Sequence, residues 1–218
     1  QGSSSNGLVK SIIRNIDNIY VLDKIPDYEP HKETSLGSKA KKLNREINDY
    51  IYDILLEDDG NSLLYYPIGN YLDYSLEASL EMISSEHTLL GLGDGGAHCA
   101  TICDASFTTH MLTFWGRDRT RGKKLDLPWI IKSYTRDNAL AIGLKDRGLI
   151  KEGMKADINI IDFDNLTLYS PEISYDLPAE GKRLVQRVDG YKYTIVSGKV
   201  TYVDGVSTGE LPGRLIRS

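Results

Sequence analysis

The sequence has few cysteines, no long apolar run and no excess of positive charge, and each of these shortages excludes a class of protein. Two cysteines among 218 residues are too few for a disulfide scaffold, so we expect a reducing, cytoplasmic compartment. No apolar run approaches the roughly 20 residues that span a membrane, so no membrane partner is expected. The formal net charge of −5 argues against nucleic acid as the main partner. What remains is an ordinary globular protein.

The most informative stretch lies between residues 88 and 98. An apolar run at residues 89–92 has the length of a buried strand, and four glycines follow within the six residues 91–96, with Asp94 among them. Glycines allow a sharp turn and a close approach to a ligand, and barrels and open α/β sheets keep their chemistry at the carboxyl ends of strands. Two interpretations stay open: Asp94 is a functional carboxylate, or it only caps the next segment.

The rest of the chain divides near residue 145. Before it we predict alternating strands and helices, typical of parallel βα units. The expected strands are residues 19–22, 62–68 and 89–92, and the expected helices are residues 36–55, a helix capped by Ser75, a helix within 110–115, and 126–143. After it the pattern predicts antiparallel strands at 157–162, 193–196 and 199–203, the last two joined at Ser197-Gly198.

Several segments together resemble the amidohydrolase superfamily. They are residues 93–98 (GDGGAH), 135–139 (TRDNA), 146–162 (DRGLIKEGMKADINIID) and 196–200 (VSGKV). Residues 26–30 (PDYEP) and 55–57 (LLE) narrow the resemblance to the N-acyl-D-amino-acid deacylase, or D-aminoacylase, branch. The resemblance implies an α/β fold in which residues 1–145 form the last strands and helices of a (β/α) barrel. Residues 146–218 would then form a small antiparallel, β-sandwich-like domain with a C-terminal arm.

The resemblance also implies a role for Asp94, and their positions beyond the strands make His98, Asn70 and Tyr71 further candidates. Asp94 matches the catalytic aspartate that takes a proton from metal-activated water and later protonates the leaving nitrogen, and it would be a metal ligand only together with a missing N-terminal half. His98 either orients the substrate carboxylate, steadies the loop, or is a packed structural histidine. Asn70 and Tyr71 follow the preceding strand and would contact the substrate, an N-acyl amino acid, if the sheet is parallel.

The metal centre of that family, however, needs residues that this sequence lacks. It uses a His-x-His pair and further histidines, whereas the chain has four histidines, none in such a pair: His31, His87, His98 and His110. A complete barrel takes about 250 residues, more than precede residue 145. We therefore expect the C-terminal portion of a metal-dependent amidohydrolase, with zinc in the complete enzyme but not tightly bound by this chain, which alone is inactive.

Other interpretations stay open at this point. The chain is alternatively a non-catalytic, self-associating α/β module, since an open barrel segment leaves strand edges that a homo-oligomer would cover. A third hypothesis makes Cys99 or Cys103 a nucleophile with His98, although two buried thiols are the simpler interpretation of this pair. The basic run at residues 117–124 is expected to be a solvated surface loop rather than an anion site.

Overall fold

The fold is described from a computed structural model that covers residue 12 and residues 15–71, 73–91, 93 and 103–216. The chain forms two compact units, Gln1–Met82 and Ile83–Ser218. In the part of the chain that is covered, no helix combines the length and the apolar character that crossing a membrane requires. The boundary expected near residue 145 falls inside the second unit, where helices give way to strands. As a domain boundary it stays a prediction.

The first unit is built from short helices and one small antiparallel sheet. Strands β1 (Tyr20–Val21) and β2 (Leu64–Tyr65) pair with Tyr20 opposite Tyr65. The α-helices whose bounds lie within the described residues are α1 (Leu36–Lys42), α2 (Ile47–Leu56) and α3 (Glu77–Ser84), the last of which ends two residues into the second unit. Ile19, Leu36 and Ile54 form the buried core between these elements. The strands expected around Ile19 and Leu64 are thus present, although each is only two residues long.

The single helix predicted over residues 36–55 is wrong, because the chain folds it as two helices. Ser35 caps α1, accepting the Ser38 N–H at 3.1 Å. Asn44 then adopts a left-handed conformation with φ of 52°. The Asn44 and Arg45 N–H groups donate to carbonyls of the last turn, an arrangement that ends a helix. Asparagine tolerates this conformation, so a local stop signal overrides the continuous apolar period.

Two long helical segments precede the sheets of the second unit. Helix α4 (Phe107–His110) continues directly as a π-helix, Met111–Asp118. Helix α5 (Leu127–Lys132) continues as a π segment, Ser133–Asp137, and then as α6 (Asn138–Ala141). Both predicted helices are confirmed. Their π geometry carries no sequence signal, and π segments are rare and often accompany functional sites.

The second unit ends in antiparallel sheets. Its strands are β3 (Ile158–Ile161), β4 (Thr167–Leu177), β5 (Gly181–Asp189), β6 (Tyr191–Val196), β7 (Lys199–Val203) and β8 (Val206–Ser207). One sheet has the order β3-β6-β7-β8, and β4 and β5 form a separate two-stranded ribbon. Ser197 and Gly198, with φ of 51° and 79°, make the tight turn between β6 and β7. The small β-domain and its hairpin are confirmed, whereas the β4–β5 ribbon was missed.

The central strand expected at residues 89–92 is not a strand in the residues that are covered. Leu89, Leu90 and Gly91 are irregular, and the Leu89 side chain is 60% exposed. All strand pairs among the covered residues are antiparallel. The fold is therefore a mixture of helices and antiparallel sheets with a small β-domain, and the partial barrel stays a prediction.

Candidate functional site

Two of the four predicted site residues can be placed. Asp94 and His98 lie outside the described residues, whereas Asn70 is exposed with φ of 58° and Tyr71 is buried. The Tyr71 hydroxyl donates a hydrogen bond to the carbonyl of Pro30. Because β2 pairs antiparallel with β1, the argument from parallel strands that directed Asn70 and Tyr71 towards Asp94 loses its support. Their role in substrate binding stays a prediction.

A buried carboxylate lies in the same unit as Tyr71. Glu29 is 2% exposed, and its Oε1 accepts the Leu76 N–H at 2.8 Å, just before α3. The Glu29 N–H in turn donates to Oδ1 of Asp27 at 2.8 Å. The first N–H groups of a helix lack partners within the helix, so this carboxylate satisfies a donor that the fold must otherwise leave to water. Glu29 could not be recognised from the sequence, because a lone glutamate between two prolines carries no burial signal.

The described residues next to segment 94–102 are anchored by the helices of the second unit. The Asn138 side-chain amide donates to the carbonyl of Leu90 at 2.6 Å. Gly93 lies so close to α4 that an added Cβ would be 2.4 Å from Cδ1 of Phe107 and 2.7 Å from the Asp104 carbonyl oxygen. The chain is thus held immediately before the position at which the sequence places the candidate carboxylate. Asn138 was also missed, because its partner is 48 residues away.

Comparison with known protein families gives a match that covers the end of the first unit and most of the second unit. The amidohydrolase family model matches residues 61–202, well over half of the chain. The chain belongs to the amidohydrolase family. The match runs from β2 to β7 and so includes Asn138, Gly93 and the candidate site around Asp94. Comparison with curated proteins and with solved structures gives no match.

The described part of this amidohydrolase does not supply a metal centre. Within residues 15–71, 73–91 and 103–216, no group of three or more histidine, cysteine or acidic side chains is arranged to hold an ion. His31 and His87 are exposed. The described residues therefore do not fit a zinc ion by themselves, and we derive no reaction step through one.

The cysteine hypothesis gains no support from Cys103. Burial, together with the negative charge of Asp104, raises the pKa of its thiol. The thiolate is the nucleophilic form, so a raised pKa makes Cys103 less reactive at neutral pH. Cys99 and His98, the other members of that hypothesis, lie outside the described residues. The observation on Cys103 favours the structural interpretation of this thiol.

The basic run at residues 117–124 is only in part the solvated loop that we expected: Lys123 and Lys124 are exposed, whereas Arg117 and Arg119 are bound within the fold. The Arg117 guanidinium donates to the Leu166 carbonyl at 2.7 Å and pairs with Asp118. Arg119 is 1% exposed, donates to the Lys123 carbonyl at 3.0 Å, and lies over the ring of Trp115 at 4.7 Å. Both arginines satisfy backbone carbonyls within the second unit. The sequence could not show this, because their partners are set by the tertiary fold.

His110 makes the stability of the second unit depend on pH. Its ring stacks on Phe114 with centroids 4.9 Å apart, and burial lowers its pKa to about 4. In the unfolded chain His110 has an ordinary pKa near 6.5. Between that pH and about 4 it is therefore protonated in the unfolded chain but neutral in the folded chain. Stability is therefore lost as the pH falls from 6.5 towards 4.

We expect His110 to account for about 2 kcal/mol of lost unfolding free energy between pH 7 and pH 5. The measurement is urea denaturation of the natural chain and of His110→Phe at both pH values. The variant keeps an aromatic ring next to Phe114 but cannot be protonated. Carboxylates titrate equally in both proteins, so the difference between them isolates His110. An equal loss of stability in both proteins would contradict the assignment.

Gly93→Ala tests the anchor before the candidate carboxylate. The added Cβ would overlap the Phe107 ring, so we expect a loss of about 1–3 kcal/mol in the free energy of unfolding. Gly91→Ala is the matched control, because nothing lies within 4 Å of a Cβ at that position. Chemical denaturation of both variants decides the matter, and equal stabilities would show that Gly93 is not tightly packed.

Proposed function

We propose that this chain is the C-terminal portion of a metal-dependent amidohydrolase of the D-aminoacylase branch, which hydrolyses the amide bond of N-acyl amino acids. The observation that carries the proposal is the family match over residues 61–202, which includes the GDGGAH segment at residues 93–98. The assignment to the branch rests on the resemblance of residues 26–30 and 55–57.

In this proposal Asp94 is the proton carrier of the reaction. A carboxylate next to the attacking water takes its proton as the carbon–oxygen bond forms, and returns it to the amide nitrogen as the carbon–nitrogen bond breaks. Such a group must be held in position, and the anchors at Leu90 and Gly93 support this placement. His98, Asn70 and Tyr71 are the proposed contacts of the substrate. They would hold its carboxylate and acyl group.

Zinc belongs to the proposal as the cofactor of the complete enzyme, with ligands outside this chain. When bound, a zinc ion lowers the pKa of a coordinated water to about 7 and so supplies a nucleophile at neutral pH. We propose that the chain alone retains little zinc and does not turn over substrate.

The test is elemental analysis of the purified chain, together with an assay of free amine released from N-acyl-D-amino acids and from their L enantiomers. We expect no release and a zinc content below roughly a tenth of an equivalent, even after incubation with the metal. Stoichiometric zinc with hydrolysis that Asp94→Asn abolishes would overturn the proposed inactivity and support the role of Asp94. Hydrolysis that survives Asp94→Asn would contradict that role.

A second candidate function, self-association without catalysis, is supported by the β4–β5 ribbon. On the face of the ribbon that carries Ile173 and its β5 partner Leu184, Ile173 is 48% exposed, and Tyr175, two residues further along β4, is 67% exposed. The opposite face carries the ion pairs Arg187–Glu172 and Arg183–Asp176. Two-stranded sheets are marginally stable in water, so an apolar face of this kind favours a covering partner, and we propose a second copy.

Light scattering of the natural chain and of the double variant Ile173→Thr/Tyr175→Thr tests this candidate. We expect a dimer or larger species for the natural chain and a monomer for the variant, since threonine keeps the strand but removes the apolar surface. Ser174→Thr, on the polar face, is the control and should leave the mass unchanged. A monomeric natural chain at high concentration would contradict the candidate.

A further inference from the structure

The second unit contains a large cavity, and none of its lining residues has a role in the proposed hydrolase. It lies between the segment formed by α5 and its π continuation and the strands β3 and β6, and its volume is about 940 Å³. Small-molecule sites have volumes of about 300–1,000 Å³ and mostly apolar walls. The walls here follow that pattern, with Leu112, Ile131, Leu149, Met154, Ile158 and Ile161 among the lining side chains.

Two cations line the same cavity without a counter-charge. Arg136, from the π segment, and Lys151, from the turn before β3, have no carboxylate within ion-pair distance in the part of the chain that the structure describes. The other two lining cations are paired: Lys132 with Asp137 at 2.7 Å, and Lys155 with Asp157, the carboxylate of the lining, at 3.5 Å. The cavity therefore combines apolar walls with two positive charges that are available to a ligand.

A close backbone contact brings these two cations to the same cavity. Gly148 has φ of +83°, and a Cβ added to it would lie 2.7 Å from the Cα of Arg136. Only glycine fits both this conformation and this approach. The turn that carries Lys151 is therefore held against the π segment that carries Arg136. Asp157, which also lines the cavity, accepts the Ser197 N–H at 2.8 Å and lies 3.3 Å from Nη1 of Arg147, which fixes the start of β3.

We propose that this cavity binds the anion of a linear aliphatic carboxylic acid, with its chain along the apolar walls and its carboxylate at Arg136 and Lys151. A short inorganic anion would leave the apolar walls in contact with water, and a neutral hydrocarbon chain would leave both cations without a partner. A carboxylate at the end of an alkyl chain satisfies both features. Arginine pairs with carboxylates through two parallel N–H donors, which favours this head group.

Binding at this cavity is separate from the hydrolase proposal. It needs neither Asp94 nor a metal, and it is measured with the chain as it stands. If the chain did not bind carboxylates, the hydrolase proposal would still stand. If Asp94 had no catalytic role, the proposed carboxylate site would still stand.

The first experiment is calorimetric titration of the chain with octanoate, decanoate and decanol, below the concentrations at which they aggregate. We expect one decanoate per chain. Each added methylene should tighten binding by up to about fourfold while the chain still fits the walls. Decanol should bind at least about fivefold more weakly than decanoate, because it offers no charge to Arg136 and Lys151. Equal affinity for decanol and decanoate would overturn the proposal, as would unsaturable binding.

The second experiment measures decanoate binding to variants in which one apolar lining residue or one cation is substituted at a time. Arg136→Gln and Lys151→Gln should each weaken decanoate binding by about fivefold. Lys145→Gln makes the same change of net charge outside the cavity and should bind like the natural chain. Ile131→Gln, on the wall, should also weaken binding, whereas Leu140→Gln, an exposed helical leucine outside the cavity, should not.

Three results would overturn the assignment. The first is equal affinity in Arg136→Gln, Lys151→Gln and Lys145→Gln, which would remove the role of the two cations. The second is equal affinity in Ile131→Gln and Leu140→Gln, which would remove the role of the walls. The third is a dimer, detected by light scattering, that must dissociate before decanoate binds, because a second copy would then be the natural occupant of the cavity.

Discussion

Arg119→Ala is expected to lower the free energy of unfolding of the second unit by about 3 kcal/mol. Arg119 is 1% exposed, so the variant leaves a cavity the size of its side chain. It also removes the hydrogen bond to the Lys123 carbonyl and the contact of the guanidinium with the ring of Trp115. The Lys123 carbonyl would then be left without this donor. Loss of a buried donor is among the few mechanisms that give large single-site effects.

Tryptophan fluorescence during urea denaturation follows this change, because Trp115 and Trp129 both lie in the second unit. Arg119→Lys keeps the charge but loses the planar fork, so we expect about half of the effect of alanine. Lys124→Ala is the control, since Lys124 is exposed in the same loop. If Arg119→Ala were as stable as Lys124→Ala, Arg119 would not be the residue that holds this loop.

Glu29→Ala is expected to destabilise the first unit by a similar amount, about 3 kcal/mol. The substitution removes a buried carboxylate and leaves the Leu76 N–H without the acceptor that it has at 2.8 Å. Glu29→Gln keeps an oxygen in that position and should lose only about 1 kcal/mol. If Glu29 acts as an acceptor, the free energy of unfolding should therefore rise from Glu29→Ala to Glu29→Gln to the natural chain.

The measurement for Glu29 combines circular dichroism during denaturation with amide hydrogen exchange at Leu76. In Glu29→Ala we expect faster exchange at that amide, because its hydrogen bond is gone. Glu33→Ala, a change at an exposed glutamate nearby, should alter neither the free energy of unfolding nor the exchange rate of the Leu76 amide. Glutamine and alanine variants of equal stability would show that the carboxylate does not act through the Leu76 amide.

Much of the local structure followed from the sequence. The helix that begins after Asp126 and the Ser197-Gly198 turn were both predicted. Each depends on residues within a few positions of one another, whose preferred backbone angles and hydrogen bonds act over short distances. The long helix over residues 36–55 failed for the same reason, because the left-handed Asn44 is a local stop that the apolar period conceals.

The β4–β5 ribbon could not be found in this way. Its strands alternate apolar and charged residues only in part, Pro171 interrupts β4, and Ala179 and Glu180 occupy left-handed positions in the turn without being glycine. Strand preference depends mainly on cross-strand neighbours and burial, and those are known only after the strands have paired.

By itself, then, the sequence determined membership of the amidohydrolase family, the small antiparallel β-domain and the ends of several helices. Only the tertiary structure decided which charged and polar side chains are buried and which groups they bind. Glu29 reaches Leu76 across 47 residues, Asn138 reaches Leu90 across 48, and Arg119 is covered by its neighbours in space. The reason is physical: the energy of a polar group depends on its partners and on its exposure to water, and both are set by residues that are distant along the chain.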